Sequence, residues 1–331
     1  MLELVVNIDD SHGYFITKET RRYFGDKFIP AIFKLIDNKA VITRFYDDSL
    51  ARVDDIRIGD VITKVDDKDV ATIFKEKEKY ILGSNISRKK YNAFNAIFNG
   101  SSPTVKIEFL RDNNTQVKTI KRYLFNDLNI KRIKSDPYKV LDGNIGYVNM
   151  AALKINNVSD AMEALIGTKA LIFDIRNRPN TTKYLIANYI MSKRNDFFKI
   201  TYPDLNYPGR FIWKNGRQCG RNGDLEYTGK VILLVNEYAQ SHSEFTIMCL
   251  QTGDNVTTIG SQTSGADGTM SEFHMVGGFK TWMTGTGIFY PDGTETQRKG
   301  VNIDIEIKPT IQGIIEGRDE VLEKAIEFVN E

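Results

Sequence analysis

The sequence predicts a mixed α/β fold, in which a β/α sandwich of helices packed on a mixed sheet follows a small β-rich domain. Two observations lead to this prediction. From about residue 140, short apolar runs typical of buried strands alternate with segments of helical spacing. Between residues 28 and 111, most apolar segments alternate every second residue and are bounded by Gly, Asn and Asp turns. At 331 residues, the chain is long enough for two domains.

The composition is ordinary for a globular protein, with 41% hydrophobic and 27% charged residues. The 45 basic and 43 acidic residues nearly balance, so neither nucleic acid nor a membrane surface is expected as the main partner. No apolar run reaches the length of a membrane span. Two cysteines and three scattered histidines predict no metal site, and no cofactor is expected. Cys249, on an apolar helical face, is predicted to be a buried thiol.

The N-terminal residues 1–27 are predicted to be the remnant of a helical subdomain that carries His12. Residues 1–8 have the spacing of the last turns of an apolar helix that should begin earlier. The sequence shows no signal peptide. We therefore expect a fragment from which a leader and part of an N-terminal subdomain are missing.

Residues 28–111 are predicted to form the small β-rich domain, and residues 112–139 are predicted to be a polar linker with one strand near 119–124. The domain's predicted elements are strands at 31–35, 40–45 and 104–110, two further strands within 58–70, and a polar helix near 91–98.

Residues 140–331 are predicted to form the β/α sandwich. Its predicted strands are 146–148, 170–175, 231–235 and 256–259. Its predicted helices are 158–166, 182–191, 244–250 and 319–329, with a hairpin made of 278–282 and 287–290.

The polar run Asn236–Glu244 follows the apolar strand Val231–Val235 directly and leads into a helix. In such a turn a serine can act as a nucleophile, because its hydroxyl is exposed and the first helical N–H groups point at the space beside it. The alternative is that Ser241 and Ser243 only cap the helix.

The segment Ser49–Ile62 resembles a PDZ domain, in which small residues lead into a Gly-Asp-apolar-Ile strand. The resemblance implies a module that binds the extended C-terminus of a peptide by strand addition. The counterpart of the glycine-rich carboxylate-binding loop is Phe28–Ile32, which holds no glycine, so peptide binding stays open.

Four later segments resemble, in order, the motifs of the C-terminal processing (tail-specific) peptidase family. Asp174-Ile175-Arg176 resembles its Asp-x-Arg strand end, and the serine turn resembles its Ser-Ala-Ser-Ala-Ser-Glu box with Ser241 at the nucleophile position. Gly260–Gly268 resembles its Gly-Glu-Pro-Thr-x-Gly-Lys-Gly box, while Tyr290–Gly293 and Gln297–Asp304 resemble its final Gly-Ile-x-Pro-Asp region. The resemblance covers essentially the whole chain and implies a ClpP/crotonase-like catalytic core preceded by, or carrying as an insertion, a PDZ-like domain.

One position departs from the Ser-Lys branch of that family, because Ala266 stands where the lysine base should be. A serine hydroxyl needs a base within hydrogen-bond reach. Ser11-His12 resembles an element of the tricorn-like branch of the same family, which uses serine, histidine, a second serine and a glutamate. The resemblance implies that His12 is the base for Ser241.

The same resemblance implies that Glu295 orients His12 through Ser11, with Gln297 as the alternative if the alignment shifts by two residues. The oxyanion hole needs two backbone N–H donors. We expect the N–H of His242, directly after the nucleophile, and that of Asn180, because Pro179 has none. The His242 side chain is expected to line the pocket, and Asp174 and Arg176 are expected to brace the strand end.

These observations predict a serine endopeptidase that cleaves proteins or peptides, with cleavage near their C-termini as the family resemblance implies, through an acyl-enzyme intermediate. The alternative from another class is a peptide-binding protein on an inactive protease core. A third hypothesis is a Ser-Lys enzyme with a relocated lysine such as Lys280. The family resemblance implies an exported protein, in the periplasm, at the cell surface or outside the cell, with protein or peptide substrates as partners.

Overall fold

The computed structural model describes residues 1–130 and 135–331, and its packing divides them into two units. The first unit consists of residues 1–9, 13–130 and 309–320. The second unit consists of residues 10–12, 135–308 and 321–331. Within both described ranges, no helix has the length and apolar character needed to cross a membrane.

The first unit is built around an antiparallel sheet. Its strands are β1 Lys27–Phe28, β2 Ala31–Ile36, β3 Lys39–Phe45, β4 Val61–Val65, β5 Lys68–Asp69, β6 Thr104–Arg111, β7 Asn114–Lys121 and β8 Tyr123–Leu124. Its helices are α1 Leu2–Val6, α2 Lys18–Phe24, α3 Asp48–Val53, α4 Val70–Lys77, α5 Ile86–Asn92 and α6 Phe94–Ile97, with α10 Ile311–Ile315 late in the chain. Short 3₁₀ turns occupy 78–80 and 125–127.

The main sheet of this unit has the order β2-β3-β4-β6-β7, with β5 paired to β4. Two-residue turns with positive φ at both positions connect three of its hairpins, at Asp37-Asn38, Asp66-Asp67 and Asp112-Asn113. Such turns match the twist of the strands that they join, and Asp and Asn tolerate their left-handed backbone.

The predicted linker at 112–139 is wrong for its first part. Residues 114–121 form β7, which pairs with β6 along its entire length. The Asp112-Asn113 turn explains the difference, because it returns the chain into the sheet instead of leading it away. Residues 131–134 of the predicted linker lie outside the described residues.

The second unit holds most of the remaining elements. Its strands are β9 Tyr138–Leu141, β10 Ile145–Asn149, β11 Ala170–Asp174, β12 Asn195–Asp196, β13 Lys199–Pro203, β14 Phe211–Asn215, β15 Gln218–Cys219, β16 Lys230–Val235, β17 Val256–Gly260, β18 Met270–Met275, β19 Phe279–Thr284, β20 Gly287–Phe289 and β21 Ile305–Glu306. Its helices are α7 Val158–Leu165, α8 Lys183–Ile190 and α9 His242–Leu250, a 3₁₀ turn at 155–157, and α11 Glu320–Asn330, whose first residue packs with the first unit.

A sheet of order β21-β17-β16-β11-β10-β9 forms the centre of the second unit, and only β9 runs antiparallel to its neighbour. Alternate residues of β11 face opposite sides: Leu171 and Phe173 pack with the core that includes α7, α8 and α9, while Ala170 and Ile172 pack with α11. Both faces are therefore covered by helices, as the sequence predicts for the β/α sandwich.

The topology brings two loops together. Strands β16 and β17 are parallel, and their last residues, Val235 and Gly260, pair in register. The segments that follow them therefore leave the same edge of the sheet, where open α/β sheets place their sites. One segment is the serine turn, and the other begins the box at residues 260–268.

Two further predictions need correction. The predicted hairpin of 278–282 with 287–290 does not form: β19 pairs with β18 across a turn in which Gly277 and Gly278 both have positive φ, and β20 pairs with β13. The predicted 1–27 remnant is not one piece either, because residues 10–12 pack with the second unit.

Candidate active site

Ser241 lies in the turn between β16 and α9, directly before the first residue of α9. Its backbone has φ +55° and ψ −117°, a region that residues with a Cβ rarely enter. The Ser241 N–H donates to the carbonyl oxygen of Ala266 at 2.9 Å, which ties the turn to the loop after β17. A serine held in such a strained strand-to-helix turn presents its hydroxyl as a nucleophile does.

The carboxyl group of Glu244, in the first turn of α9, organises this turn. It is fully buried and accepts four hydrogen bonds. The donors are the N–H groups of Ser241 (3.2 Å), Gly265 (2.7 Å) and Ala266 (3.0 Å) and the hydroxyl of Thr263 (2.6 Å). Burial raises the pKa of Glu244, and these four donors oppose the shift. One side chain thus joins the serine turn to the loop at residues 263–266.

Gly265 is required at its position in that loop. It has φ +65°, and a Cβ there would lie 2.7 Å from the backbone carbonyl carbon of Arg298. The Arg298 N–H donates to the carbonyl oxygen of Gly265 at 2.7 Å. The close approach of these two backbones packs the segment around residues 296–298 against the loop that carries Ala266.

His12 is buried and belongs to a chain of three side chains. Its Nδ1 lies 2.9 Å from the hydroxyl oxygen of Thr284 and 3.7 Å from Asp10 Oδ1. The Thr284 hydroxyl donates to Asp10 Oδ1 at 3.1 Å, and the Thr284 N–H donates to Asp10 Oδ2 at 2.5 Å. The His12 N–H also donates to Asp10 Oδ1, at 2.9 Å.

This chain determines which ring nitrogen of His12 carries the proton. Because the Thr284 hydroxyl hydrogen is directed at Asp10, its oxygen can only accept from the ring. His12 Nδ1 is then the protonated nitrogen, and Nε2 is the ring nitrogen whose lone pair could accept a proton.

Ser11 connects the His12 segment to the serine turn. Its carbonyl oxygen accepts a hydrogen bond from Gln240 Nε2 at 3.2 Å, and its hydroxyl donates to the carbonyl oxygen of Ser264 at 3.4 Å. Gln240 directly precedes Ser241 in the chain. The structure therefore brings Ser11 into contact with the residue that directly precedes Ser241.

The prediction for Glu295 is not supported. Glu295 is exposed in the segment after β20, where its backbone forms a bridge with Phe289. Gln297, the alternative, is half-buried, and its Oε1 is buried without a hydrogen-bond partner among the described residues. The strand alternation assumed in the prediction does not hold here, because the chain turns after residue 295, with the Gly300 N–H donating to the carbonyl oxygen of Thr296 at 2.8 Å.

The predicted oxyanion pair is supported for one member only. The first N–H groups of a helix have no acceptor within that helix, so the His242 N–H at the start of α9 is available. The Asn180 N–H, in contrast, donates to the carbonyl oxygen of Met150 at 3.1 Å. Its side-chain amide also donates to the carbonyl oxygens of Ala151 and Leu153, so Asn180 serves to anchor its loop.

The remaining predicted residues lie as follows. Ala266 is fully buried, and Lys280 is an exposed residue of β19 that pairs with Glu272, so Lys280 is no base for Ser241. Arg176 braces the end of β11 through its bond to Asp174 (2.7 Å), as predicted. Cys249 is buried, also as predicted. Within residues 1–130 and 135–331, no three His, Cys, Asp or Glu side chains are grouped to hold a metal ion.

A cavity of about 290 Å³ opens beside Ser241. Its lining combines four large apolar side chains with a few polar groups, and the residues are Phe198, Ile200, Ser241, His242, Phe245, Asp267, Gly268, Thr269 and Ile288. The pocket-lining prediction for His242 is confirmed. His242 Nε2 lies 3.4 Å from the carbonyl oxygen of Asn180, and burial lowers the pKa of its ring, with Lys183 as the next contribution.

Comparison with known proteins agrees with this geometry. Residues 144–307, which contain the serine turn and the pocket, match the model of peptidase family S41. This segment is a peptidase family S41 domain. The S41 domain therefore belongs to a family of serine-type peptidases, and the coarser part of the resemblance seen in the sequence is confirmed.

One relative, described as a "Probable CtpA-like serine protease" from Staphylococcus haemolyticus (strain JCSC1435), is 24% identical over 336 residues. The match covers 94% of this chain, and the chain spans 60% of the length of that relative.

Two solved structures share the fold. Mature CPAF complexed with lactacystin superposes with a TM-score of 0.73 at 13% identity, covering 99% of this chain and 88% of CPAF. A "putative peptidase" from Parabacteroides merdae ATCC 43184 has a TM-score of 0.52 at 23% identity, covering 58% of this chain and 63% of its own. At these identities the likeness concerns the fold alone.

Four residues of the candidate site were missed from the sequence: Asp10, Glu244, Asp267 and Thr284. Glu244 had a signal, since Ser241-x-x-Glu244 is the spacing of a capping box. Asp10 could have been noticed because it lies only two residues before His12 in the chain. Thr284 and Asp267 gave no signal, because only the tertiary fold brings Thr284 to His12 and buries the Asp267 carboxyl.

Asp267→Asn tests the burial of that carboxyl. Burial raises the pKa of Asp267 well above its usual range, and the charge of Glu244 adds to this. Between the ordinary and the raised pKa, the folded state holds a proton that the unfolded chain releases. The free energy of unfolding therefore falls as pH rises, by at most about 1.4 kcal/mol per pH unit. An asparagine side chain cannot titrate, so urea denaturation should show the variant gaining stability relative to wild type as the pH rises above about 4.

Asp160→Asn is the matched control, because Asp160 is exposed in the first turn of α7. Its stability difference from wild type should change little over the same range. Parallel wild-type and Asp267→Asn curves would contradict the raised pKa.

Proposed function

We propose that the chain is a serine endopeptidase that cleaves proteins or peptides through an acyl-enzyme intermediate. The observation that carries this proposal is the strained backbone of Ser241 at the start of α9, beside a cavity. A helix-capping serine has no need of positive φ, since N-cap residues normally have extended backbone. The cost of this conformation is explained if the hydroxyl must be presented for reaction.

His12 acts as the general base in this proposal. Its Nε2 takes the proton from the Ser241 hydroxyl as the oxygen attacks the peptide carbonyl carbon, and returns it to the leaving amine. A water molecule, activated by the same nitrogen, then hydrolyses the acyl-enzyme ester and releases the second product. The neutral Nδ1–H tautomer that the contact with Thr284 selects is the one that this step needs.

Asp10 takes the orienting role that the sequence assigned to Glu295. Its carboxylate, 3.7 Å from Nδ1 and joined to it through Thr284, favours the imidazolium that forms when His12 accepts the proton. Asp10 and Thr284 act through His12 and are positioning residues.

The His242 N–H is proposed as one oxyanion donor. It lies at the N-terminus of α9, where the helix dipole also favours a developing negative charge. The Asn180 N–H has an acceptor in this structure, so the second donor must come from another group of the loop that follows β11.

The similarity to a CtpA-like relative motivates two further parts of the proposal. The first unit would be a PDZ-like module: β2 is an edge strand of its antiparallel sheet and offers main-chain groups for strand addition by a substrate C-terminus. The protein would act outside the cytoplasm, as the family resemblance implies.

A fluorophosphonate probe tests the catalytic proposal, since it reacts with activated serines. We expect the wild-type protein to be labelled and Ser241→Ala to be unlabelled. The labelling rate of His12→Ala should be at least about a thousandfold below that of wild type. The His274→Ala variant is the matched control, because His274 is an exposed residue of β18.

Each other outcome has a distinct meaning. Absence of labelling in folded wild-type protein would favour the alternative of a peptide-binding protein on an inactive core. Wild-type rates in His12→Ala would contradict His12 as the base.

Thr284→Val tests the tautomer argument with a side chain of the same shape. Losing the acceptor of Nδ1–H should slow labelling by about ten- to a hundredfold, as expected for a hydrogen bond to a charged group. The pH–rate profile should also shift its acid limb to lower pH, because the imidazolium loses its link to Asp10. Thr284→Ser, which keeps the hydroxyl, should restore both. An unshifted profile would show that Thr284 has only a structural role.

A further inference from the structure

The pocket beside Ser241 carries one feature that the catalytic proposal does not use. Its walls are mainly apolar, formed by the side chains of Phe198, Ile200, Phe245 and Ile288. The residues that line the pocket include a single carboxyl group, that of Asp267. A substrate side chain that fills this pocket must therefore bury a hydrophobic stem and meet one carboxyl.

Only one of the two oxygens of the Asp267 carboxyl has a hydrogen-bond partner among the described residues. The residue is 4% exposed, and its Oδ1 accepts the N–H of Gly268 at 2.8 Å. Its Oδ2 is buried and has no hydrogen-bond partner among the described residues. A buried acceptor left without a donor costs about 1–3 kcal/mol, so this oxygen is a group that a bound donor would stabilise.

The charges around Asp267 are few. Glu244 is committed to its four donors in the serine turn. The Lys183 ammonium is buried and lies over the rings of Phe245 (5.0 Å) and Tyr184 (5.2 Å). Lys183 is not part of the pocket lining and makes no hydrogen bond to Asp267 Oδ2. A cation that enters the pocket beside Asp267 favours the ionised form of this carboxyl, in which both oxygens accept hydrogen bonds.

We propose that Asp267 selects substrates with lysine or arginine on the acyl side of the scissile bond. Such side chains have the aliphatic stem that the apolar walls accept and the cationic donor that Asp267 Oδ2 lacks. An acidic side chain would place a third carboxyl beside Asp267 and Glu244. A purely apolar one would leave Oδ2 unpartnered. This specificity rests on the proposed function, because it assumes that Ser241 attacks the carbonyl next to the pocket.

The test uses three peptidyl diphenyl phosphonates that react with the active serine and differ only at the residue next to the phosphorus: lysine, norleucine or glutamate. Norleucine matches the stem of lysine without its charge. With the intact wild-type protein we expect the lysine probe to react about a hundredfold faster than the norleucine probe, and the glutamate probe to react slowest. In Asp267→Asn the lysine-to-norleucine ratio should fall at least about tenfold, whereas Asp160→Asn should keep it.

A plain fluorophosphonate, which has no such side chain, is applied in parallel. If it labels Ser241 but the three probes react equally, the pocket proposal is wrong and the catalytic proposal stands. If it labels nothing, the catalytic proposal fails, and the pocket is tested by calorimetric binding of peptides that end in lysine or norleucine to Ser241→Ala protein. Preference for lysine that Asp267→Asn abolishes would then support the pocket, and equal binding would overturn it.

Discussion

The buried carboxyl of Glu244 is the interaction on which the rest of the site depends. It accepts hydrogen bonds from the serine turn on one side and from three groups of the 263–266 loop on the other. Two segments that leave the same sheet edge are thereby held at a fixed distance. The strained backbone of Ser241 persists because its N–H is bound from both directions, by this carboxyl and by the Ala266 carbonyl oxygen.

The loop that Glu244 holds supplies the other parts of the site in turn. Ser264 receives the Ser11 hydroxyl, which keeps the His12 segment beside the serine turn. Gly265 packs on the backbone of Arg298, and Asp267 enters the pocket wall. The base that a lysine at position 266 would supply is replaced in our proposal by His12, whose tautomer is set by Thr284. One buried carboxyl therefore links the proposed nucleophile, the proposed base and the proposed specificity pocket.

The sequence predicted the β/α sandwich and the serine turn, because these follow from local periodicity and from motifs whose order matches a known family. It missed whatever depends on long-range packing. Glu295 and Gln297 could not be distinguished by strand alternation, because the chain turns after residue 295 instead of continuing as a strand. The sequence could not exclude the Asn180 N–H as an oxyanion donor, because its acceptor, the carbonyl oxygen of Met150, is revealed only by the fold. The strand β7 was predicted to be linker because its exposed face is polar. Thr284 is distant from His12 in the chain, so no spacing could reveal it.

The most direct measurement compares fluorophosphonate labelling rates of wild type, Glu244→Gln and the exposed-site control Glu163→Gln from α7. A glutamine side chain at position 244 cannot accept from all four donors, because only its carbonyl oxygen accepts hydrogen bonds, while its NH₂ group donates them. If Glu244 holds the serine turn, the labelling rate of Glu244→Gln should be at least about a hundredfold below that of wild type. The far-ultraviolet circular dichroism of this variant should stay native, and the control should be labelled at the wild-type rate. Wild-type labelling by folded Glu244→Gln protein would contradict the account.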